Sequence, residues 1–155
     1  MNPELPPSAW VRVFLPFALG YYLSYLLRTV NAVISPALSA ELGLSAANLG
    51  LLTSAYFLAF AIAQIPVGIA LDRYGPRRVE AALMVLTAAG AASFALGDNL
   101  LELGIARALI GAGVSACLMG ALKGFALWYP PERQSSMAAF VMASGAMGAL
   151  SASLP

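Results

Sequence analysis

The chain has 155 residues, of which 61% are hydrophobic and 10% are charged, and its mean hydropathy is +0.83. Soluble domains carry about 25% charged residues, so this composition excludes an ordinary water-soluble core. A net charge of +1 excludes the strongly basic surface of a nucleic-acid-binding protein. The single cysteine and the absence of histidine argue against an internal disulfide and against a zinc or haem site, so we expect no cofactor and no metal.

Apolar residues fall into five runs, each close to the roughly 20 residues that cross a bilayer. The sequence therefore predicts an all-α membrane protein, a polytopic bundle of transmembrane helices. Residues 1–10 contain no basic residue, so the first run does not resemble a cleaved signal peptide, and we expect it to remain as a span. The predicted organisation is a tail at 1–12 followed by spans at 13–38, 48–71, 79–97, 100–126 and 136–155.

The first span carries a stripe of aromatic and polar side chains. Arg28 lies about 15 residues into the span, which is close to the middle of the membrane at a rise of 1.5 Å per residue. A guanidinium costs at least ~2.5–3.5 kcal/mol there, so Arg28 is expected to face a cavity or a partner. Tyr21 and Tyr25 precede it on the same helix face, and Ser24 and Asn31 flank that face. The stripe predicts the wall of a polar cavity.

Arg28 also indicates the charge of a ligand. Its guanidinium stays protonated and presents parallel donors that suit a carboxylate or a phosphate. The alternative interpretation is structural, in which Arg28 pairs with a buried acid or with a helix terminus. Tyr56 and Gln64 of the second span could line the same cavity or bond a neighbouring helix.

The turn between the second and third spans is the most charged stretch of the chain. Asp72 comes at the end of a helix, where the macrodipole disfavours an anion by about 0.3–1 kcal/mol, so it is expected to need a nearby guanidinium or the N-terminus of another helix. Glycine permits close helix approach and a turn with positive φ. The residues of this turn that we single out are Gly68, Asp72, Arg73, Gly75, Arg77 and Arg78.

Basic residues of the predicted loops all fall on one side of the membrane. Arg12 precedes the first span, Arg133 follows the fourth, and three arginines lie in the second loop. The first and third loops contain acidic residues and no basic ones. Because short basic loops stay in the cytoplasm, the sequence predicts a multi-pass protein of the plasma or inner membrane with a cytoplasmic N-terminus.

Two motifs together resemble the major facilitator superfamily. Gly68-x-x-x-Asp72-Arg73-x-Gly75-x-Arg77-Arg78 resembles the family's signature loop between the second and third helices, with a departure at Pro76, where the family usually has a basic residue. The run Arg107-Ala-Leu-Ile-Gly111-Ala-Gly113 is similar to the family's fourth-helix pattern. The resemblance implies a secondary active transporter of a small solute that works by alternating access, and not an enzyme.

The resemblance also implies a substrate class and a gate. Several members that carry organic or phosphorylated anions have an arginine in this part of the first helix, so an organic or other anion is the implied substrate. The signature loop is implied to be a gate, in which Asp72 meets a helix of the opposite half of the transporter. The candidate substrate-binding residues are Arg28, Tyr25, Tyr21, Asn31 and Arg107.

Family members have twelve helices in two halves, so the resemblance implies an incomplete N-terminal half that needs a C-terminal half as its partner. Every acidic residue falls in the tail, in a loop or at a span end, so no carboxylate is expected at mid-membrane to carry a coupling proton. Two alternatives stay open: a transporter-like membrane sensor, and a small oligomeric membrane protein that is complete at five spans.

Overall fold

Long apolar helices joined by very short connections make up the computed structural model, which describes residues 10–153. A π-helical turn at Trp10–Phe14 leads into the first helix. The helices are α1 (Leu15–Leu42), α2 (Ala46–Tyr74), α3 (Pro76–Leu96), α4 (Leu100–Gly113), α5 (Cys117–Trp128) and α6 (Pro131–Ser153), with a 3-10 turn at Val114–Ala116 between α4 and α5. The predicted all-α class is confirmed.

Within the described residues, five helical segments are long and apolar enough to cross a membrane, with α4 and α5 together forming the fourth. The helices start before or end after most of the predicted spans. Residues 10–12, which were predicted to belong to the tail, already continue the first helix, because the valines on either side of Arg12 extend its apolar run. Residues 1–9 of the tail and the last two residues of the predicted fifth span lie outside the described range.

The connections end helices through capping residues. Gly43 ends α1 with φ of 63°, and Gly75 separates α2 from α3 with φ of 80°, which agrees with the positive φ predicted for that turn. The Ser45 side chain accepts the Asn48 N–H at 3.2 Å at the start of α2. Asn99 caps α4 in the same way, so backbone donors at both helix starts have partners.

Helix α4 packs between α2 and α3, while α1 packs mainly on α6. Small residues permit these contacts, since a Cβ at Gly111 would overlap the Tyr56 carbonyl oxygen, and one at Gly113 would overlap the Thr87 hydroxyl. Gly148 of α6 meets the backbone of α1 in the same manner. These glycines therefore allow the helix backbones to approach closely.

Gly68 does not make the close helix contact that the sequence predicted, since a Cβ at this position would meet no described atom within 4 Å. Around the bundle the outer surface is apolar, and Ile62, Ile65 and Ile69 follow one exposed face of α2. Such a surface suits a lipid environment, in which burial of apolar side chains is not required.

Because successive helices run in opposite directions, one end of the bundle collects the basic residues. The start of α1, the α2–α3 turn and the α5–α6 connection meet there. We call it the basic end, defined by Arg12, Arg73, Arg77, Arg78 and Arg133.

Candidate functional site

The candidate site is built around Tyr56, which lies in the middle of α2 and is completely buried. The Nε of Arg28, on α1, donates a hydrogen bond to the Tyr56 hydroxyl at 3.4 Å. The guanidinium of Arg107, on α4, lies 4.8 Å from the centre of the same ring. Tyr56 is therefore the point at which three helices bring two cationic side chains together.

Aromatic rings surround the Arg28 guanidinium. Its carbon lies 4.8 Å from the Tyr25 ring centre and 5.6 Å from the ring centres of Phe57 and Phe60. Cations are attracted to the faces of aromatic rings, most strongly where water is excluded. These rings hold the half-buried guanidinium without neutralising its charge.

Arg107 is only 2% exposed and joins α4 to α1. Its Nη1 donates to the backbone carbonyl of Leu27 at 3.0 Å, and its Nε is buried without a partner among the described residues. Phe94 lies on another side, with its ring centre 6.0 Å away. In this arrangement Arg107 is not accessible to a solute, although it was a predicted substrate contact.

Neither arginine has a carboxylate partner in residues 10–153. The ion pair found in this part of the chain joins Asp72 to Lys123. One form of the structural alternative, an ion pair of Arg28 with a buried acid, is therefore not found among the described residues. A buried cation without a counter-ion carries an unfavourable desolvation cost. An anion that bound beside Arg28 would reduce this cost, so the site is chemically suited to a carboxylate or a phosphate.

The remaining predicted cavity residues extend along α1. The Tyr21 hydroxyl donates to the Tyr25 hydroxyl at 3.4 Å, and the Tyr21 ring is buried where Gly145 of α6 makes room for it. Asn31 is also buried, and its amide nitrogen donates to the Thr53 hydroxyl at 3.2 Å. Tyr25 thus lies against Arg28, whereas Tyr21 and Asn31 line the helix on either side of it.

The charged turn at the basic end has a partner that the sequence did not predict. Asp72 forms an ion pair with Lys123 of α5, rather than with a guanidinium or a helix N-terminus. Lys123 lies in the half of α5 that leads to the basic end, and a long lysine side chain can place its ammonium group at the membrane surface. Arg73 lies instead over the Tyr74 ring, 5.3 Å from its centre. Arg77 and Arg78 are exposed.

Glu80 also differs from expectation. It is the fifth residue of α3 and was placed at a span end, yet its side chain is only 7% exposed. The side chain points into the contact between α1, α3 and α5. Glycines of α1 and α5 lie opposite it and leave room for its carboxyl group. A carboxylate was not expected inside the bundle.

Sequence reasoning missed several contributors to the arginine site. The aromatic side chains of Phe57, Phe60 and Phe94 were indistinguishable from lipid-facing ones, because membrane helices carry apolar residues on every side. Only the spacing of Thr53, Tyr56 and Phe60, which places them on one helix face, could have signalled the site on α2.

The family model of the Major Facilitator Superfamily matches residues 17–154. The hexuronate transporter of Escherichia coli K12 is 29% identical over 141 residues, which cover 91% of this chain and 32% of the relative. The hexuronate transporter of Bacillus subtilis is 30% identical over 125 residues, which cover 81% of this chain and 30% of the relative.

A third relative has a similar name. The galacturonate transporter of Dickeya chrysanthemi is 27% identical over 132 residues, which cover 85% of this chain and 38% of the relative. The chain thus spans about a third of the length of these relatives.

The matched family consists of transporters, so the prediction that the chain is not an enzyme is confirmed. The family match also agrees with the apolar helices, which make the chain a multi-pass integral membrane protein. It confirms the resemblance that the two sequence motifs indicated. The chain belongs to the major facilitator superfamily.

Proposed function

We propose that the chain is part of a secondary active transporter of small organic anions, of the sugar-acid class, and that it works by alternating access. The observation that carries this proposal is the pair of arginines around Tyr56, which has no acidic partner in the described residues. The names of the relatives, which include transporters of hexuronate and galacturonate, support the same substrate class.

In this proposal Arg28 binds the carboxylate of the substrate. Its side chain is half-buried, and the surrounding rings orient the guanidinium while leaving its charge free. A guanidinium and a carboxylate form two parallel charge-assisted hydrogen bonds, which favours an anion over a neutral sugar. The Asn31 side-chain oxygen, a buried acceptor without a partner in the described residues, is available for a hydroxyl group of the substrate.

Arg107 has a supporting role in the proposal. Because it donates to the Leu27 carbonyl, one residue before Arg28, it fixes this part of α1 against α4. Its charge adds to the positive potential at Tyr56, although the side chain itself is inaccessible in this arrangement. Arg107 therefore positions the binding residue and raises the affinity for anions.

The basic end supplies the proposed gate. The ion pair of Asp72 with Lys123 joins the end of α2 to the end of α5, and Asp72 remains 81% exposed. An exposed carboxylate at a helix end can exchange partners at little energetic cost. We infer that Asp72 exchanges Lys123 for groups of the opposite half of the transporter as the basic end closes.

The test of the anion site is binding of D-galacturonate to the full-length protein, purified in detergent and measured by calorimetry. Hydrogen bonds to charged groups contribute about 1.5–3 kcal/mol, so Arg28→Ala should weaken binding at least about tenfold. Arg28→Lys should weaken it less, because the charge remains but the two parallel hydrogen bonds are lost.

Two controls accompany this test. Arg133→Lys changes an exposed arginine at the basic end and should leave binding unchanged. D-galactose, which lacks the carboxylate, should bind weakly to every variant. Unchanged galacturonate affinity in both Arg28 variants would show that this arginine is structural, and the anion proposal would be wrong.

A further inference from the structure

A second polar site lies apart from the arginine pair, at the contact between α1, α3 and α5. Glu80 of α3 points into this contact, and its side chain is 7% exposed. Both carboxyl oxygens are buried, and neither has a hydrogen-bond partner among the described residues. A buried carboxyl group in this condition is rare, since almost all buried polar groups have partners.

The space for this carboxyl group is made by two glycines. A Cβ at Gly20 of α1 would overlap Oε1 of Glu80, and a Cβ at Gly120 of α5 would lie 3.2 Å from Oε2. Both glycines lie inside their spans. At 1.5 Å per residue, each is about 12–15 Å from the end of its span that lies at the basic end. The side chain of Glu80 therefore reaches further into the membrane than its place near the start of α3 indicates.

Besides Glu80 itself, the atoms nearest to these two glycine positions belong to apolar side chains and a thiol. Atoms of Phe17 and Leu71 each lie 3.8 Å from the Cβ position of Gly120, and the Cys117 sulfur lies 4.0 Å from that of Gly20. An ionised carboxylate in such surroundings costs several kcal/mol when it has no partner. A metal cation is not a suitable partner, because hard cations need several oxygen ligands and these neighbours provide none.

Charged groups that could compensate an ionised Glu80 are absent from the described residues that contact it. Besides Glu80, the side chains nearest to the two glycines are those of Phe17 on α1, Leu71 on α2 and Cys117 on α5, and of these only the Cys117 thiol is titratable. Lys123 lies one turn beyond Gly120, but it is paired with Asp72. Arg77 and Arg78, one turn before Glu80 on α3, are exposed.

We propose that Glu80 is a proton-binding site, which holds a proton when α1 and α5 are packed on α3 and releases it when they separate. In the packed arrangement the group is a neutral carboxylic acid. When water enters between the helices, the acid O–H bond breaks, the proton passes to water and a solvated carboxylate remains. Protonation of Glu80 thus favours the packed arrangement, and its loss favours the open one.

Cys117 provides a probe beside this site, because its thiol is free and only 1% exposed. The experiment is alkylation of the full-length protein in lipid vesicles with N-ethylmaleimide, followed by mass spectrometry of the peptide that contains Cys117. Wild type is compared with Glu80→Gln, which keeps a neutral side chain of the same size at every pH. Thiolate formation raises the rate in both proteins. A negative charge on Glu80 would disfavour the neighbouring thiolate in wild type, so a higher rate in wild type than in Glu80→Gln reports opening of the contact.

We expect a rate ratio of wild type to Glu80→Gln close to one at about pH 6 and at least about tenfold higher at about pH 9, because ionised Glu80 opens the contact. Glu102→Gln, at the exposed start of α4, is the matched control and should behave as wild type. A ratio that stays constant over this range would overturn the proposal.

Infrared spectroscopy of the wild-type protein gives a second measurement that does not depend on a variant. The protonated carboxyl group should give a C=O stretching band at neutral pH, which disappears at alkaline pH in parallel with faster alkylation. If no protonated carboxyl band titrates with the alkylation rate, Glu80 is not a proton-binding site. Neither measurement requires transport. A negative result for the Glu80 proposal can therefore be distinguished from a negative result for the proposed anion transport.

Discussion

Tyr56 is the residue on which the arginine site depends, since its hydroxyl accepts a hydrogen bond from Arg28 and its ring face lies against Arg107. These two contacts use different parts of the tyrosine. A phenylalanine keeps the ring and loses the hydroxyl, whereas an alanine loses both. The two substitutions therefore separate orientation of Arg28 from packing of α2 on α4.

For Tyr56→Phe we expect a small loss of stability, because one hydrogen bond contributes about 0.5–1.5 kcal/mol. For Tyr56→Ala we expect a loss of about 3–5 kcal/mol, since a large buried ring leaves a cavity. Thermal unfolding of the purified protein measures both. Similar melting temperatures for the two variants would contradict the packing role of the ring.

The backbone contact beneath Tyr56 gives a second residue-scale prediction. Gly111→Ala places a methyl group against the Tyr56 carbonyl oxygen, which is backbone and cannot move aside. Overpacking costs about 1–3 kcal/mol or more, so we expect a lower melting temperature and weaker anion binding. Gly104→Ala, in the same helix, meets no described atom within 4 Å and should be neutral or stabilising. Equal effects of the two substitutions would show that α4 does not need a glycine at 111.

Among single residues, the sequence predicted the ones whose chemistry is costly in a membrane. Arg28 was identified because a guanidinium at mid-membrane requires a reason, and Arg107 because it begins the fourth-helix motif. Glu80 was not, because its position five residues into α3 is near the membrane surface. Whether such a side chain turns toward solvent or inward depends on Gly20 and Gly120, which lie far away in the sequence.

At the scale of helices, the α2–α3 turn and the end of α5 are linked by the exposed pair of Asp72 and Lys123. Exposed ion pairs contribute about 0–1 kcal/mol. A double-mutant cycle of Asp72→Asn and Lys123→Met, followed by thermal unfolding, should therefore give a coupling energy below about 1 kcal/mol that falls further at high salt. A coupling of several kcal/mol would mean that the pair locks the basic end, which would exclude the low-cost exchange proposed for the gate.

The existence of the helices was predictable from their apolar runs, but their partners were not. Periodicity identifies a face of a soluble helix because one side is polar. In α2 the sides are equally apolar, so the sequence suggested an inward position for Tyr56 but did not indicate that it meets α4 or that Ile62 faces outward. The 3-10 turn that divides α4 from α5 was likewise missed, because it contains no proline or glycine.

For the molecule as a whole, the collection of basic residues at one end leads to a prediction about orientation. Short basic loops stay in the cytoplasm, so an alkaline phosphatase fused after Asp98 should be exported and active. The same enzyme fused after Gly75, in the basic α2–α3 turn, should remain inactive. A green fluorescent protein at these two positions should give the opposite pattern. Reversed patterns would place the N-terminus outside and make the predicted topology wrong.

The packing of α1 on α6 has a consequence for how the protein is made. The partner of α1 begins at Pro131, about 90 residues after α1 ends at Leu42. At a synthesis rate of about 5–20 residues per second, α1 waits roughly 5–20 seconds in the membrane before α6 exists. During that interval the helix that carries Arg28 has no α6 beside it, and until α4 is made its Leu27 carbonyl lacks the hydrogen bond that Arg107 donates. Biogenesis of this chain thus has a slow, vulnerable stage, and an insertase or chaperone that shelters a charged helix would act there.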